Sequence, residues 1–214
     1  MKNEVFQSRN EAARRLASQL CMESSDAIVL AVPTRGVLVG HRLALELGCM
    51  LDIVVPEKIP IPWNTDASMG AVTSDGARVI NRTMVKALGL SEDAVRMYAE
   101  EARKSAVDVE GKYRNAVPPV DISGRRVIIV DDGISSGYTM LAAIESAAGR
   151  SPARLTVAVP VSSIAATRLL VPKVDELIAL VISERQPFWI DDFYLENAPM
   201  DDDSIVEYLR RSGR

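Results

Sequence analysis

The feature that most constrains the fold is an apolar segment that runs through a polar loop into a helical pattern. Residues 127–140, VIIVDDGISSGYTM, begin with four apolar residues that do not alternate with polar ones. Such a run is typical of a strand that is covered on both faces of a parallel sheet. Two adjacent carboxylates, Asp131 and Asp132, then lead into a loop of glycine, serine and threonine. Because parallel strands need crossover connections, this stretch predicts an α/β protein.

The same alternation of apolar runs and helical patterns occurs along most of the chain. AIVLAVPTRG is a second non-alternating run, and it is followed by the helical pattern VLVGHRLALELG and the short strand LDIVVP. After residue 140 the sequence continues with RLTVAVPVS, SIAATRLL and DELIALVIS, which predict strand, helix and strand. We therefore expect one domain over residues 1–214, built on an open, mostly parallel sheet of about five strands with helices on both faces.

Three segments lie outside this regular alternation. Ser8 and Glu11 have the spacing of a capping box at the start of an N-terminal helix. Residues 57–82 are rich in proline and turn residues, which predicts a flexible, extended excursion with a hairpin around SDG, and a helix capped by Ser91 follows it. Residues 184–214 form a C-terminal appendage that we expect to act as a hood over the site.

Charge and composition exclude several classes of function. The net charge of −4 and the isoelectric point near 5.2 disfavour a nucleic-acid binder. Cys21 and Cys49 form no CxxC pair, which disfavours a zinc site or a disulfide framework and favours a reducing cytoplasm. No apolar run has the length of a membrane span, the polar start differs from a signal peptide, and no P-loop motif is present.

Both unusual loops follow predicted strands, so both belong at the carboxyl edge of the sheet. Ligands of open α/β sheets bind at this edge, where the winding direction switches. The loop at residues 133–139 leads into a helix, and its backbone N–H groups, hydroxyls and helix dipole predict a phosphate cradle. Carboxylates beside a phosphate require a hydroxylic or cationic group on the same ligand. A ribose 5-phosphate meets both demands, with its hydroxyls on Asp131 and Asp132.

These residues resemble the type I phosphoribosyltransferase family. VIIVDDGISSGYT is similar to the family's signature for phosphoribosyl pyrophosphate (PRPP), AVPTRGVLVG to its pyrophosphate loop, and EKIPIPWN occupies the place of its flexible catalytic loop. FQSRNEAARRLASQL and FWIDDFYLENAPMDDDSIVEYL further resemble a poorly characterised subgroup of predicted phosphoribosyltransferases.

The resemblance implies transfer of ribose 5-phosphate from PRPP to a nitrogen acceptor, such as a nucleobase, with Mg²⁺ as cofactor and pyrophosphate as leaving group. It also implies a cytoplasmic homodimer. Catalytic roles would fall on Asp131, Asp132, Lys58 and Arg35, with Mg²⁺ held mainly through PRPP. The residues expected to bind PRPP are Thr34, Arg35, Gly36, Asp131, Asp132, Gly133, Ile134, Ser135, Ser136, Gly137, Tyr138 and Thr139.

Simpler interpretations accompany each of these expectations. The acidic pair could be a strand end followed by an N-cap, and Arg35 and Lys58 could be solvated surface charges. His41 lies within a helical pattern, which favours a packing or helix-surface role. Trp63, Phe188 and Trp189 fit core packing as well as stacking on a ligand base.

Two questions about function stay open at this level. Where 6-oxopurine phosphoribosyltransferases usually carry an acid, this chain has Ser135, which disfavours hypoxanthine or guanine as acceptor. The other question is whether the chain catalyses transfer or is a regulatory protein that senses PRPP without turning it over.

Overall fold

The computed structural model describes residues 5–20, 26–115, 117–197 and 200–212, and these residues form eight strands and seven α-helices. The strands are β1 (Ala27–Ala31), β2 (Met50–Ile53), β3 (Pro56–Ile61), β4 (Asn64–Thr73), β5 (Arg78–Ile80), β6 (Arg126–Val130), β7 (Arg154–Ser163) and β8 (Glu176–Ser183). The helices are α1 (Arg9–Gln19), α2 (Gly36–Leu47), α3 (Arg82–Ala87), α4 (Glu92–Arg114), α5 (Tyr138–Ala148), α6 (Ile164–Leu170) and α7 (Asp202–Ser212).

A five-stranded sheet with the order β2-β1-β6-β7-β8 forms the centre of the molecule, and all of its strands are parallel. The β1 strand is completely buried, as its apolar run predicts. Apolar cores lie on both faces of the sheet, one containing Leu16, Leu43 and Leu209 and the other Ile129, Ile144 and Leu170. The predicted α/β class is confirmed, and the strand order reverses between β1 and β6, where a ligand crevice is expected.

The two predicted helix starts are confirmed, and a glycine ends a third helix. The Ser8 hydroxyl accepts a hydrogen bond from the Glu11 backbone N–H at the start of α1. The Ser91 hydroxyl accepts from Ala94 at the start of α4. Gly48 ends α2 with a φ of 64°, a left-handed conformation that glycine adopts without a steric penalty.

The segment at residues 57–82 is more regular than predicted. Strands β3, β4 and β5 form an antiparallel sheet, and the expected hairpin joins β4 to β5. Pro56 and Pro60 lie on β3, an edge strand, where a missing backbone N–H is tolerated, and the pairing with β4 shifts register on both sides of Pro60. This small sheet has its own apolar core with α3 and α4, which includes Ile59, Met69, Val85, Val95 and Ala99.

The two ends of the chain meet on the large sheet. Phe6 forms a bridge with Tyr194, and its backbone N–H donates to the Phe193 carbonyl at 2.8 Å. The predicted C-terminal appendage, as far as it is described, consists of a short 3₁₀ turn, Ile190–Phe193, and α7. Helix α7 packs on α2, where His41 bonds to the Ser212 hydroxyl at 2.5 Å. His41 therefore has the packing role that its place in a helical pattern indicates.

Two features of composition can be compared with the structure. Cys49 is a partly buried free thiol, and burial raises its pKa to about 11. Cys21, the other cysteine, lies outside the described residues. Among the helices of the described ranges, none combines the length and apolarity that crossing a bilayer requires.

Candidate active site

A cleft of about 730 Å³ opens at the carboxyl edge of the large sheet, between the loops that follow β1 and β6. The small antiparallel sheet and residues 188–191 form its other sides. The residues predicted from the sequence that line this cleft are Thr34, Arg35, Lys58, Asp131, Asp132, Gly133, Ile134, Ser135, Ser136, Gly137, Tyr138 and Thr139. The structure thus brings the two predicted ligand loops and the predicted catalytic lysine to one place.

Gly36 differs from the other predicted residues because it lies behind the cleft wall. It is the buried first residue of α2, and a Cβ atom at this position would stand 2.8 Å from Asp131 Oδ1. The absence of a side chain lets α2 approach the strand end that carries Asp131. Gly36 therefore supports the site through close packing.

The loop at residues 133–139 is fixed to β7 and leads into α5. The Ile134 backbone N–H donates to the Val161 carbonyl at 2.9 Å, and the Ser163 hydroxyl donates to the Ser135 carbonyl at 2.6 Å. Gly137 has a φ of 85°, which turns the chain into the first residue of α5. The N–H groups in the first turn of a helix lack intrahelical partners, so this fixed loop has the geometry of an anion-binding site.

Serine hydroxyls complete this loop. Ser135 and Ser136 are exposed in the cleft, and Thr139, at the start of α5, also lines it. These side chains can donate hydrogen bonds to phosphate oxygens without adding negative charge. The loop therefore has the composition and position of the predicted phosphate cradle.

Asp131 is the more exposed of the two acids that line the cleft. Its Oδ1 accepts a hydrogen bond from the Asp132 backbone N–H at 2.8 Å, which fixes the side chain at the end of β6. Burial and the negative charge of Asp132 raise the pKa of Asp131 well above the usual range for an aspartate. A cation or a ligand hydroxyl donor at this position would favour the ionised form.

Asp132 is held by a residue that sequence reasoning missed. Arg9, the first residue of α1, donates from Nε to Asp132 Oδ2 at 2.8 Å, and its Nη2 lies 2.7 Å from the same oxygen. Both side chains are buried, with exposed fractions of 4% for Arg9 and 11% for Asp132. The two predicted acids therefore have different surroundings: both line the cleft, but Asp132 is also paired with a buried arginine.

One sequence signal for Arg9 was present. A positive charge in the first turn of a helix opposes the helix dipole, so an arginine directly after an N-cap needs a local reason. The acidic partner is 123 positions away in the chain, and no sequence spacing points to it.

The two predicted basic residues also differ. Arg35 donates from Nη1 to Asp191 Oδ1, so it is paired with the C-terminal segment at the cleft edge. Lys58 is exposed on β3, in register with Ala71 of β4. It lines the cleft from the opposite side.

The aromatic residues and the small sheet complete the lining. Trp189 lines the cleft with 63% of its surface exposed, whereas Phe188 packs against Phe193 with ring centroids 5.4 Å apart. Trp63 is exposed in the turn between β3 and β4. Further lining residues that the sequence interpretation did not identify are Ala67, Ser68, Asn81 and Met84.

The residues present suit a metal ion that is held mainly by its ligand. No group of three or more histidine, cysteine, aspartate or glutamate side chains that could hold a metal occurs in the described part of the chain. Mg²⁺ needs few protein ligands when diphosphate oxygens and water complete its octahedral shell. The Asp131 carboxylate, which faces the cleft, fits that role.

Comparison with known proteins identifies the family to which the chain is similar. The family model described as a phosphoribosyl transferase domain matches residues 3–195. Two curated relatives from strains of Mycobacterium tuberculosis, one of them named "Putative phosphoribosyl transferase Rv0571c", are 31% identical over 214 residues, which covers 98% of this chain and 47% of each relative. The chain thus spans about half the length of the curated relatives it matches.

Solved structures show the same fold. TT1426 from Thermus thermophilus superposes with a TM-score of 0.82 at 28% identity, covering 98% of this chain and 100% of that one. A hypothetical protein from Neisseria gonorrhoeae, solved with bound ppGpp, gives a TM-score of 0.55 at 16% identity and covers 99% of this chain and 98% of its own. Since the family model matches nearly the whole sequence, the chain belongs to the phosphoribosyl transferase domain family.

Proposed function

We propose that the protein is a Mg²⁺-dependent phosphoribosyltransferase that moves ribose 5-phosphate from PRPP to a nitrogen acceptor and releases pyrophosphate. The observation that carries this proposal is the single cleft shared by the loops after β1 and β6, with Asp131, Arg35 and Lys58 on its walls. The phosphate cradle suits the 5-phosphate of PRPP, the carboxylate suits its ribose hydroxyls, and the two cations suit its pyrophosphate. Family membership supports the same general reaction.

The 5-phosphate binds in the loop at residues 133–139. Backbone N–H groups at the start of α5 and the hydroxyls of Ser135, Ser136 and Thr139 donate to its oxygens. The ribose then lies beside Asp131, which accepts from the sugar hydroxyls. The Asp132 carboxylate is paired with Arg9, so it fixes the start of the loop and is not a second free acceptor for the sugar hydroxyls.

Catalysis depends on the leaving group. The bond between the anomeric carbon and pyrophosphate breaks ahead of attack by the acceptor nitrogen, so negative charge grows on the departing diphosphate. Arg35 and Lys58 provide positive charge on opposite sides of the cleft, and positive groups that are preorganised there stabilise the transition state. Asp131 would hold a bound Mg²⁺ on the protein side, and the ion would supply further positive charge to the leaving group.

The acceptor would occupy the rest of the cleft, between Trp189 and the lining residues of the small sheet. Ser135 places a neutral hydroxyl where an acid would favour a 6-oxopurine, so we favour acceptors other than hypoxanthine and guanine. The homodimer and the cytoplasmic location stay predictions from the resemblance.

Pyrophosphate release from PRPP, measured with a panel of nucleobases and small amines, tests the proposal. We expect Mg²⁺-dependent release with at least one acceptor. Asp131→Asn should weaken PRPP binding by about 10–100-fold in calorimetric titration, because a charged hydrogen bond contributes roughly 1.5–3 kcal/mol. Binding of PRPP without release for any acceptor would point to a sensor, and absence of PRPP binding would contradict the proposed function.

A further inference from the structure

Arg9 is an unusual residue in its position. It is buried at the first turn of α1, where the helix dipole disfavours a cation, and a buried guanidinium is costly unless all its donors are paired. Its surroundings meet that requirement. The groups around the guanidinium are Asp132 Oδ2, Asp191 Oδ1 at 3.0 Å, Asn197 Oδ1 at 3.1 Å, the Glu196 carbonyl at 3.4 Å and the Tyr194 ring, whose centroid is 4.3 Å away.

These contacts join the two ligand loops. On one side Arg9 holds the Asp132 carboxylate, and the Tyr194 hydroxyl donates to the Asp132 backbone carbonyl at 2.5 Å. On the other side Asp191 Oδ1 accepts from both Arg9 and Arg35. The ion pairs Asp132–Arg9, Arg9–Asp191 and Asp191–Arg35 therefore form a continuous charge bridge. This bridge connects the loop after β6, on the ribose side of the site, with the loop after β1, on the pyrophosphate side.

The geometry of this bridge requires an arginine. Its two nitrogens on Asp132 and its separate bond to Asp191 use the planar fork of the guanidinium, which an ammonium group cannot reproduce. Asp191 is 52% exposed and lines the cleft, so its position near Arg35 depends on its ion pair with the buried Arg9.

Arg9 also affects the charge at the site. The carboxylate of Asp132 raises the pKa of Asp131, and the positive charge of Arg9 opposes that effect. The other charged groups around this cleft are Arg35, Lys58 and Asp191. Loss of the Arg9 charge would leave Asp132, next to Asp131, without its paired cation.

We propose that Arg9 is a positioning residue of the phosphoribosyl site, which sets the spacing of the ribose-side and pyrophosphate-side loops through Asp132 and Asp191. This inference rests on the proposed function for the identity of the ligand. The segments that supply Arg9, Asp191 and Tyr194 come from opposite ends of the chain and converge only in the folded protein.

The test compares Arg9→Gln and Arg9→Lys with Arg14→Gln, which makes the same change at an exposed arginine of the same helix. The measurements are PRPP binding with Mg²⁺, and amide hydrogen exchange of residues 132–139 without ligand. We expect Arg9→Gln to weaken binding by about 10–100-fold and to speed amide exchange in the loop. Arg9→Lys should also lose affinity, because an ammonium group cannot make the separate bonds to Asp132 and Asp191, and Arg14→Gln should match wild type.

A double-mutant cycle separates positioning from general loss of stability. Arg9→Gln and Arg35→Ala, alone and together, would be titrated with inorganic pyrophosphate and Mg²⁺. A bridge predicts non-additive losses, because each variant breaks the same chain of contacts. Additive losses, or unchanged binding and exchange in Arg9→Gln, would overturn the proposal. If wild type does not bind PRPP, the proposed function fails, and the exchange measurement still decides whether Arg9 orders the loop.

Discussion

The two walls of the cleft hold their charged groups in different ways. On the parallel-sheet wall, Asp132 is buried against Arg9, and Arg35 is paired with Asp191. On the antiparallel wall, Lys58 is exposed on an edge strand. Groups that are fixed before binding contribute to ground-state affinity, whereas a group that meets the ligand only as charge develops contributes mainly to rate. The comparison therefore predicts a division between binding on one wall and catalysis on the other.

The walls also belong to different cores. The small sheet packs with α3 and α4 in a cluster of its own, separate from the clusters on the large sheet. Helix α4 joins them, because Arg114 at its end donates to Asp52 of β2 and to the Ile53 carbonyl. Asp52 is 1% exposed and also accepts from the Val120 backbone N–H at 2.9 Å. An ion pair outside the cleft lining thus connects helix α4 to the large sheet.

The largest effect is expected when this link is broken. Arg114→Met leaves the buried Asp52 carboxylate without its cation, and an uncompensated buried charge typically costs about 3–5 kcal/mol. Denaturant unfolding measures the loss. The matched control is Arg96→Met on the same helix, whose partner Asp93 is exposed, so we expect about 0–1 kcal/mol. Equal losses in both variants would show that the Asp52 ion pair contributes no more to stability than an exposed ion pair.

The second prediction concerns Lys58 and Arg35 directly. Lys58→Ala should lower the rate of pyrophosphate release by about 10²–10³-fold, the usual effect of removing a donor to a developing anion, and should weaken PRPP binding much less. Arg35→Ala should reduce both quantities, because its guanidinium is already held at the cleft by Asp191. Steady-state kinetics and calorimetric titration separate the two effects.

A control on the same side of the molecule is Lys86→Ala, which removes an exposed lysine of α3 and should leave both quantities unchanged. Full turnover in Lys58→Ala would make Lys58 a solvated surface residue. The division of labour between the two walls would then be wrong.

The predictable part of the site is the part that is contiguous in sequence. The strand, the acidic pair and the loop at residues 131–139 carry their information within one short stretch, since a buried strand, glycine turns and a helix start are local properties. The parallel sheet followed in the same way from repeated strand and helix patterns. Pro56 and Pro60 hid the small sheet, because prolines on an edge strand remove the alternation by which strands are recognised.

The unpredictable part is the charge bridge. Arg35 and Asp191 are 156 positions apart, and Arg9 and Asp132 are separated by 123. The sequence shows the sign of each charged residue but does not identify its ion-pair partner. The tertiary packing of both chain ends determines that partner. The different surroundings of the neighbours Asp131 and Asp132 could not be predicted for the same reason.

The smallest effect is expected from packing around a glycine of the parallel-sheet wall. A Cβ atom at Gly133 would stand 2.6 Å from Val161 Cγ2 and 2.8 Å from Ile190 Cγ2, so Gly133→Ala must displace the side chains of Val161 and Ile190. Overpacking of this kind costs about 1–3 kcal/mol. Ile190 precedes Asp191, so PRPP affinity should fall together with stability.

Gly111→Ala is the control, because Gly111 lies in α4 with open space around its Cβ position, and alanine there should stabilise the helix by up to about 1 kcal/mol. Thermal unfolding and PRPP titration of both variants distinguish a crowded wall from an open helix face. If Gly133→Ala retained full stability and affinity, the wall could adjust to an added methyl group, and its fixed geometry would not be the source of its affinity.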